Sequence, residues 1–221
     1  MHHKEHPMNP RSSIGLLSLC CAALFAAGCE QPAHNMQMPE GPPPRHAELD
    51  KLNFMVGSWT ATGNMTMYMP DGKTQQQTTT GSETVSWACD NRFLKSEFNY
   101  GMGEMGSMTG VSMMTWCPKE KEYVSWYFDS FGTVGEGEMK YDQAMGHWVM
   151  ESEGNNPMTG RPQEGKGTMK VSSDNMNIEW TYTEWDKGSG KKVMEIKGSS
   201  KKVGGGLAAP AASTGTMTPA K

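Results

Sequence analysis

Short runs of alternating apolar and polar residues dominate the chain from residue 46 to about residue 203. In one run, Ile178, Trp180 and Tyr182 are separated by single polar residues, and other runs repeat the pattern. A period of two is typical of β-strands that bury one face. Turn residues such as those of Pro70-Asp71-Gly72 separate the runs. The pattern therefore indicates a series of strands joined by short turns.

The alternation predicts about ten strands, preceded by one or two helical turns that carry Leu49 and Leu52 at a spacing of three. The predicted strands are Phe54–Met69, Gln75–Ala88, Arg92–Met102, Ser107–Cys117, Glu122–Asp129, Gly132–Tyr141, His147–Glu153, Gly165–Ser172, Asn175–Glu184 and Lys192–Ser200. The chain shows no crossover helix between them. We therefore expect an all-β fold, an antiparallel up-and-down barrel whose closure removes exposed sheet edges.

The N-terminal segment has the pattern of an export signal. Residues 14–27 form an apolar run, shorter than the roughly 20 residues of a transmembrane helix. The run ends at Ala26-Ala27-Gly28-Cys29, which resembles a lipobox, although Ala26 stands where Leu is more usual. We predict a lipoprotein signal peptide over residues 1–28 and lipid attachment at Cys29. An ordinary secretory signal and an uncleaved anchor are the alternatives.

The compositions on either side of the strand region predict unstructured segments. Residues 29–45 are rich in Pro and Met and are interpreted as a tether, and the Gly/Ala/Pro-rich residues 204–221 as a disordered tail. The barrel domain then spans residues 46–203. The expected location is the cell envelope, with the domain held at a membrane by its lipid; the sequence leaves inner and outer membrane as alternatives.

Charge and motifs exclude several classes of function. The formal net charge is −4 and no basic cluster is present, which argues against nucleic-acid binding. The sequence contains no nucleophile elbow, HExxH or Walker loop. We therefore expect no enzymatic activity, no catalytic residue and no cofactor. Protein partners and the oligomeric state are left undetermined.

Two cysteines remain for chemistry after export. Cys20 and Cys21 lie in the predicted signal peptide and Cys29 carries the lipid, which leaves Cys89 and Cys117. In an oxidising envelope, two such cysteines pair more often than not. Cys89 and Cys117 are therefore candidates for a disulfide.

Several sequence blocks resemble a known family. Gly57 and Trp59 form a Gly-x-Trp at the first strand, which is similar to the opening of the calycin superfamily. Further blocks are Asn91–Leu94 with Glu97, Gly110, and the segment 126–133. Together they resemble the bacterial family called domain of unknown function 1579 (DUF1579). The resemblance implies a lipocalin-like barrel and no established biochemical activity.

Large aromatic residues are the candidates for a binding site. Facing inward, they would line a barrel able to hold one small hydrophobic molecule; the alternative is that they fill the core completely. These residues are Trp87, Trp116, Trp126, Trp148, Trp180 and Tyr182. Trp59 is assigned a structural role, as a plug at one barrel end beneath Lys201 or Lys202.

The methionines suggest a further alternative. Met102, Met105 and Met108 recur every third residue in a Gly-rich turn, and thioethers are soft ligands that select Cu(I) or Ag(I). The chain contains 21 methionines in all, many at positions that read as core. Since methionine also fills irregular cores, its abundance explains most of the pattern without a metal. Envelope copper or silver binding is therefore the second hypothesis, and a filled interaction barrel without a ligand the third.

Overall fold

The computed structural model describes residues 41–103, 106–156 and 159–203. The predicted signal peptide, Cys29, the tether up to residue 40, Met105 and the C-terminal tail lie outside these residues. A 3₁₀ helix, Ala47–Met55, opens the domain. The strands follow as β1 Gly57–Tyr68, β2 Thr74–Ala88, β3 Phe93–Gly101, β4 Ser107–Cys117, β5 Glu122–Asp129, β6 Val134–Asp142, β7 His147–Asn155, β8 Pro162–Val171, β9 Asn177–Asp186 and β10 Lys192–Lys202.

The ten strands form a closed antiparallel barrel in which each strand pairs with its neighbours in sequence. The barrel closes between β1 and β10, in a register that runs from Trp59 opposite Lys202 to Met67 opposite Met194. The predicted all-β, up-and-down barrel with a short N-terminal helical segment is confirmed. Among the described residues, no helix is long and apolar enough to cross a membrane.

One end of the barrel is closed by the 3₁₀ helix. Leu49 and Leu52 are buried, with exposures of 3% and 0%, and pack into the cluster of inward-facing side chains at this end. The cluster also contains Trp59, Val85, Leu94, Tyr123, Met139, Trp148, Met169 and Ile178. The Tyr123 hydroxyl donates a hydrogen bond of 2.9 Å to the Glu48 carbonyl, which ties β5 to the helix. This end is the hydrophobic core of the domain.

Trp59 and Lys202 complete the closed end. The Trp59 indole N–H donates to the Met55 carbonyl at 2.7 Å, and its ring is 2% exposed. The Lys202 ammonium lies 5.0 Å from the centre of that ring and donates to the Phe54 carbonyl at 2.9 Å. A cation over an indole face is attracted by the ring quadrupole. Strand β10, strand β1 and the end of the helix are thereby joined at one point.

The last residues of the predicted tether contact the barrel. The Pro43 carbonyl accepts a hydrogen bond from Arg92, and the Arg45 guanidinium donates to the Asn91 carbonyl. The guanidinium of Arg45 also lies 4.5 Å from the centre of the Trp87 ring. Residues 43–45 therefore dock on the β2–β3 turn, at the closed end.

The predicted disulfide is not formed, since Cys89 and Cys117 are both free thiols in the structure. Cys89 follows β2 and Cys117 ends β4, while β3 lies between these strands. Second-neighbour strands are roughly 10 Å apart, whereas a disulfide needs Cα atoms within about 7 Å. The intervening strand accounts for the absence of the bond.

The predicted inward position of Trp126 is wrong. In β5 the inward-facing residues are Tyr123, Ser125 and Tyr127, because Tyr123 lies opposite Trp116 and Met139 at the closed end. Trp126 therefore faces outward and is 39% exposed. Both faces of β5 carry apolar residues, so alternation alone does not show which face is buried.

Aromatic rings inside the barrel lie directly over glycines of neighbouring strands. A Cβ atom built on Gly81 would overlap the ring of Tyr100, and one built on Gly165 would overlap Tyr182. The same relation joins Phe98 with Gly110, Tyr127 with Gly135, and Trp180 with both Gly63 and Gly198. Because each ring fills the space that a side chain at the glycine would take, it lies against the wall of the barrel.

The substitution Gly81→Ala tests this packing. Its Cβ would collide with the Tyr100 ring and stand 2.6 Å from the Asn99 carbonyl oxygen. We expect a loss of about 1–3 kcal/mol in the free energy of unfolding, the usual cost of overpacking, measured by denaturant titration. Gly101→Ala is the matched control, since its Cβ would meet only Thr80 at 3.4 Å. Equal losses in both variants would contradict the interpretation.

Candidate functional site

The barrel interior changes character from the closed end to the open end. Inward-facing residues near the helix are buried, as Val85 and Leu94 show with exposures of 1% and 3%. Farther along the barrel the inward-facing positions are mixed. Met65, Thr79 and Gln163 are buried, whereas Ser112, Ser125 and Ser152 are small and half-buried. The interior is therefore a core at one end and is less completely buried in its other half, which we call the lumen.

Aromatic residues and methionines provide the apolar lining of the lumen. The aromatic lining consists of Phe98, Tyr100, Tyr127, Trp180 and Tyr182, and the methionine lining of Met65, Met114, Met150 and Met194. Trp180, Met114 and Met150 also pack against the core cluster, and Met65 is buried. The unbranched thioether of methionine adapts to ligands of different shape. A wall of this composition suits a small apolar molecule.

Glu83 is a carboxyl group inside the barrel that has protein partners. It accepts hydrogen bonds from the hydroxyl groups of Ser96 and Tyr100. Burial raises the pKa of Glu83, and these two hydrogen bonds oppose that shift. Burial and the nearby carboxyl group also raise the pKa of Tyr100. Glu83 therefore belongs to an internally satisfied polar group.

Glu184 is a second interior carboxyl group, near the open end, and it lacks such partners. On β9 it lies opposite Gly165 of β8 and Met194 of β10, one inward position beyond Tyr182. Among the described residues, no side chain or backbone group forms a hydrogen bond or ion pair with it. Burial alone raises its pKa to about 7. A half-buried carboxyl group without a partner is costly to the fold.

Two tyrosines lie close to Glu184. The Tyr182 hydroxyl is 2.7 Å from the Ser152 hydroxyl, which holds its ring against the wall. Burial raises the pKa of Tyr127 to about 12, and the charge of Glu184 contributes to that shift. Burial also raises the pKa of Tyr182. Both hydroxyl groups therefore stay protonated near neutral pH and can act as hydrogen-bond donors beside the carboxyl group.

The structure separates the six predicted lining residues into three groups. Trp87, Trp116 and Trp148 belong to the closed end: the Trp87 indole donates to Asn53, and Trp148 packs on Tyr123 and Phe54. Trp180 and Tyr182 face the interior beyond this end, although Trp180 still packs against the core cluster, and its N–H donates to the Ser200 hydroxyl at 3.0 Å. Trp126 is on the outer face. Of the six, Tyr182 is therefore the residue that lies away from both the core cluster and the outer surface.

Two groups of residues could be considered for a metal. Met102 and Met108 are half-buried at the open end of β3 and β4; the copper hypothesis, which also needs Met105, stays a prediction. Glu120, Glu122 and Glu138 place carboxylate oxygens within 4.8 Å of one another near the β4–β5 turn. Burial raises the pKa of Glu138, and repulsion from Glu122 and Glu120 adds to it. Exposed acidic groups of this kind are common without a metal, and we assign none.

Two hollows of about 640 and 710 Å3 lie on the barrel wall; both involve β9, β10, β1 and β2, and the first also reaches His147 of β7 and Thr168 and Lys170 of β8. Their lining includes the outward-facing residues Asn64, Thr78, Thr181 and Lys197, and no residue from the opposite wall of β4 to β6. They are therefore depressions of the outer surface and do not belong to the lumen.

Sequence reasoning missed Glu184 as a site residue. Its inward position could have been inferred from alternation with Ile178, Trp180 and Tyr182 on the same strand. The isolation of its carboxyl group depends on residues from β5, β8 and β10, which lie far from it in sequence. Another missed feature is Gln77, whose side-chain nitrogen is buried without a hydrogen-bond partner among the described residues.

A closed antiparallel barrel with a helix at one end and an open lumen at the other defines the lipocalin-like class. Within that class, the sequence profile of the family described as "Protein of unknown function (DUF1579)" matches residues 42–199. The chain belongs to this family. No curated protein matches the chain significantly.

The chain is similar to solved structures at low sequence identity. One is Rv2717c from M. tuberculosis, with a TM-score of 0.50 and 12% identity, covering 72% of this chain and 99% of that chain. Another is the S-type phycobiliprotein lyase CPES from Guillardia theta, with a TM-score of 0.49 and 10% identity, covering 73% of this chain and 95% of that chain. At these identities the likeness concerns the fold alone.

Replacing Glu184 with Gln is expected to stabilise the protein at alkaline pH. The pKa of Glu184 rises from 4.5 to about 7 on folding, so wild-type stability falls as the pH increases through this interval. Since Gln carries no charge, Glu184→Gln should be more stable at pH 8 by at most about 3 kcal/mol and nearly unchanged at pH 4.5. Denaturant titrations at both pH values measure this difference. Glu179→Gln on the outer face of β9 is the control; a Glu184→Gln effect independent of pH would contradict the expectation.

Proposed function

We propose that this protein binds a small, largely apolar molecule in the open half of its barrel, in the cell envelope. The single observation that carries the proposal is the contrast between the buried closed end and the half-buried, small and aromatic residues lining the other half. If the interior contributed only to stability, we would expect it to be buried along the whole length of the barrel, because close packing contributes to stability. The rings that lie over glycines are placed against the wall of the barrel.

The size of the barrel supports this proposal. Barrels of eight strands are just wide enough to be filled by side chains or to hold one small ligand, and the diameter grows with strand number. This barrel has ten strands, and many of its inward positions are glycine or serine. Aromatic rings occupy the space over several of the glycines, and the width of a ten-stranded barrel together with the small serines supports room for a ligand beyond them.

The proposed envelope location rests on the N-terminal sequence. The apolar run that ends at Cys29 is the pattern of a lipoprotein signal, and a tether follows it. An exported, lipid-anchored barrel could take up or hold an apolar molecule close to a membrane.

Filling the lumen should abolish binding. Ser112 faces inward on β4 opposite Tyr127, and its hydroxyl forms no hydrogen bond among the described residues. We expect Ser112→Trp to remove binding of the neutral fluorescent probe N-phenyl-1-naphthylamine, measured by fluorescence titration, because the indole occupies the ligand space. Circular dichroism and thermal unfolding verify that the variant is folded.

Ser82→Trp is the matched control, since Ser82 is exposed on the outer face of β2. It should bind the probe like the wild-type protein. No saturable binding to the folded wild-type protein would contradict the proposal and favour a filled interaction barrel. Equal binding by both folded variants would place the probe outside the lumen.

The proposed lipid anchor has its own test. In cells supplied with radiolabelled palmitate, we expect the wild-type protein to be labelled and Cys29→Ser to be unlabelled, because the thiol is the acceptor of the lipid. Cys21→Ser, within the predicted signal peptide, should remain labelled. Labelling of Cys29→Ser would refute the assignment of the attachment site.

A further inference from the structure

Glu184 is the interior carboxyl group that the protein leaves without a partner; the buried side-chain nitrogen of Gln77 is another unpaired polar group of the interior. Glu83 accepts two hydroxyl hydrogen bonds, whereas Glu184 has neither a hydrogen bond nor an ion pair among the described residues. Its inward position on β9 is set by the pairing with Gly165 and Met194, which place no polar side chain beside it. A buried polar group that lacks a partner in the protein is a candidate for a partner in the ligand.

The charged side chains of the described strands that face the lumen above the closed end are acidic. Glu83, Glu184 and Asp186 face inward, and Asp129 lies at the open end of β5. Arg161, in the turn before β8, lies 3.7 Å from Asp186 and is largely exposed. No lysine or arginine of the described strands faces the lumen above the closed end. Lys202, the inward-facing lysine at the closed end, is already bonded to the Phe54 carbonyl and lies over Trp59. The lumen is thus complementary to a cation and repels an anion.

From this arrangement we infer that the ligand is a cationic amphiphile, an apolar molecule bearing a protonated amine, whose ammonium group pairs with Glu184. The inference rests on the proposed function and specifies its ligand class. A carboxylate that gains a charged hydrogen-bond donor in a site shielded from water forms one of the stronger noncovalent contacts.

The position of Glu184 orients such a ligand. The carboxyl group lies near the open end, and Tyr182 and then Trp180 follow it on the same face of β9 toward the closed end. Met65 and Ile196 line the neighbouring strands at the depth of Tyr182. The ammonium group would therefore stay near the mouth, while the apolar body contacts the aromatic rings and methionines deeper in the barrel.

A matched pair of probes tests the inference. We compare 2-naphthylmethylamine, which is protonated at pH 8, with the neutral isostere 2-naphthylmethanol by isothermal titration calorimetry on the full protein. The wild-type protein should bind the amine at least about ten-fold more tightly than the alcohol, the range expected for a charged hydrogen bond. Glu184→Gln should remove this preference and leave the affinity for the alcohol within about two-fold.

Glu179→Gln is the control, because it removes the same charge from the outer face of the same strand. It should keep the preference for the amine. Equal affinity of the wild-type protein for both probes, or an unchanged preference in Glu184→Gln, would overturn the inference and leave the proposed function standing. Absence of binding by both probes and by N-phenyl-1-naphthylamine would overturn the proposed function as well.

The pH dependence gives an independent readout. Tyr127 and Tyr182 face Glu184, and burial raises the pKa of both, so neither titrates between pH 5.5 and 8.5. Gly165 and Met194 do not titrate. Two further acids lie at this end: Asp129 beside Tyr127, and Asp186, the next inward position on β9. Hydrogen bonds from Ser189 lower the pKa of Asp186, so it stays ionised across this pH range. Because the pKa of Glu184 is about 7, affinity for the amine should fall at least about ten-fold from pH 8.5 to 5.5. Affinity for the alcohol should not change; a parallel fall would contradict the inference.

Discussion

The close contact between aromatic rings and glycines is the packing arrangement on which the lumen depends. Tyr100, Tyr127 and Tyr182 each occupy the space over a glycine of an adjacent strand, where any other residue would place a Cβ atom. The rings therefore cover the wall of the barrel. Glycine weakens a strand because it adds no side-chain packing, and the ring of the neighbouring strand restores that packing. The barrel thus remains stable while the lumen is less completely buried than the closed end.

Apolar burial at the closed end stabilises the barrel and compensates for the less completely buried other half. The 3₁₀ helix places Leu49 and Leu52 among inward-facing side chains from around the barrel, so most of the apolar burial is concentrated there. Lys202 and Trp59 fix the seam between the first and last strands at the same end. The stability gained at this end offsets the free-energy cost of burying the unpaired carboxyl group of Glu184. Such a cost is typical of functional sites, where a protein retains groups that do not serve its folding.

Two carboxyl groups with similar locations differ in what they can do. Glu83 is held by Ser96 and Tyr100, so its hydrogen-bonding capacity is used within the protein. Glu184 lies beside Tyr127 and Tyr182 without bonding to either, and its raised pKa records the cost of its burial. The proposed ligand would supply the charge that Glu184 lacks. The unpaired carboxyl group of Glu184 therefore indicates the class of ligand more specifically than the apolar lining of the lumen does.

The number of strands, their order and the helical segment before them could be predicted from the sequence, because period-two alternation and turn residues are local properties. The predicted range of β5, Glu122–Asp129, agrees with the structure, and the family blocks around Gly57 and Trp59 indicated the barrel.

The direction in which β5 presents its side chains could not be predicted. Trp126 and Tyr127 are both aromatic, and only pairing with β4 and β6 decides that Tyr127 faces inward. The isolation of Glu184 likewise depends on Gly165 and Met194, which neighbouring strands bring beside it. The sequence by itself determines the alternation of side chains along each strand. The register between strands determines which face turns inward and which residues become partners across strands. Only the closed barrel establishes that register.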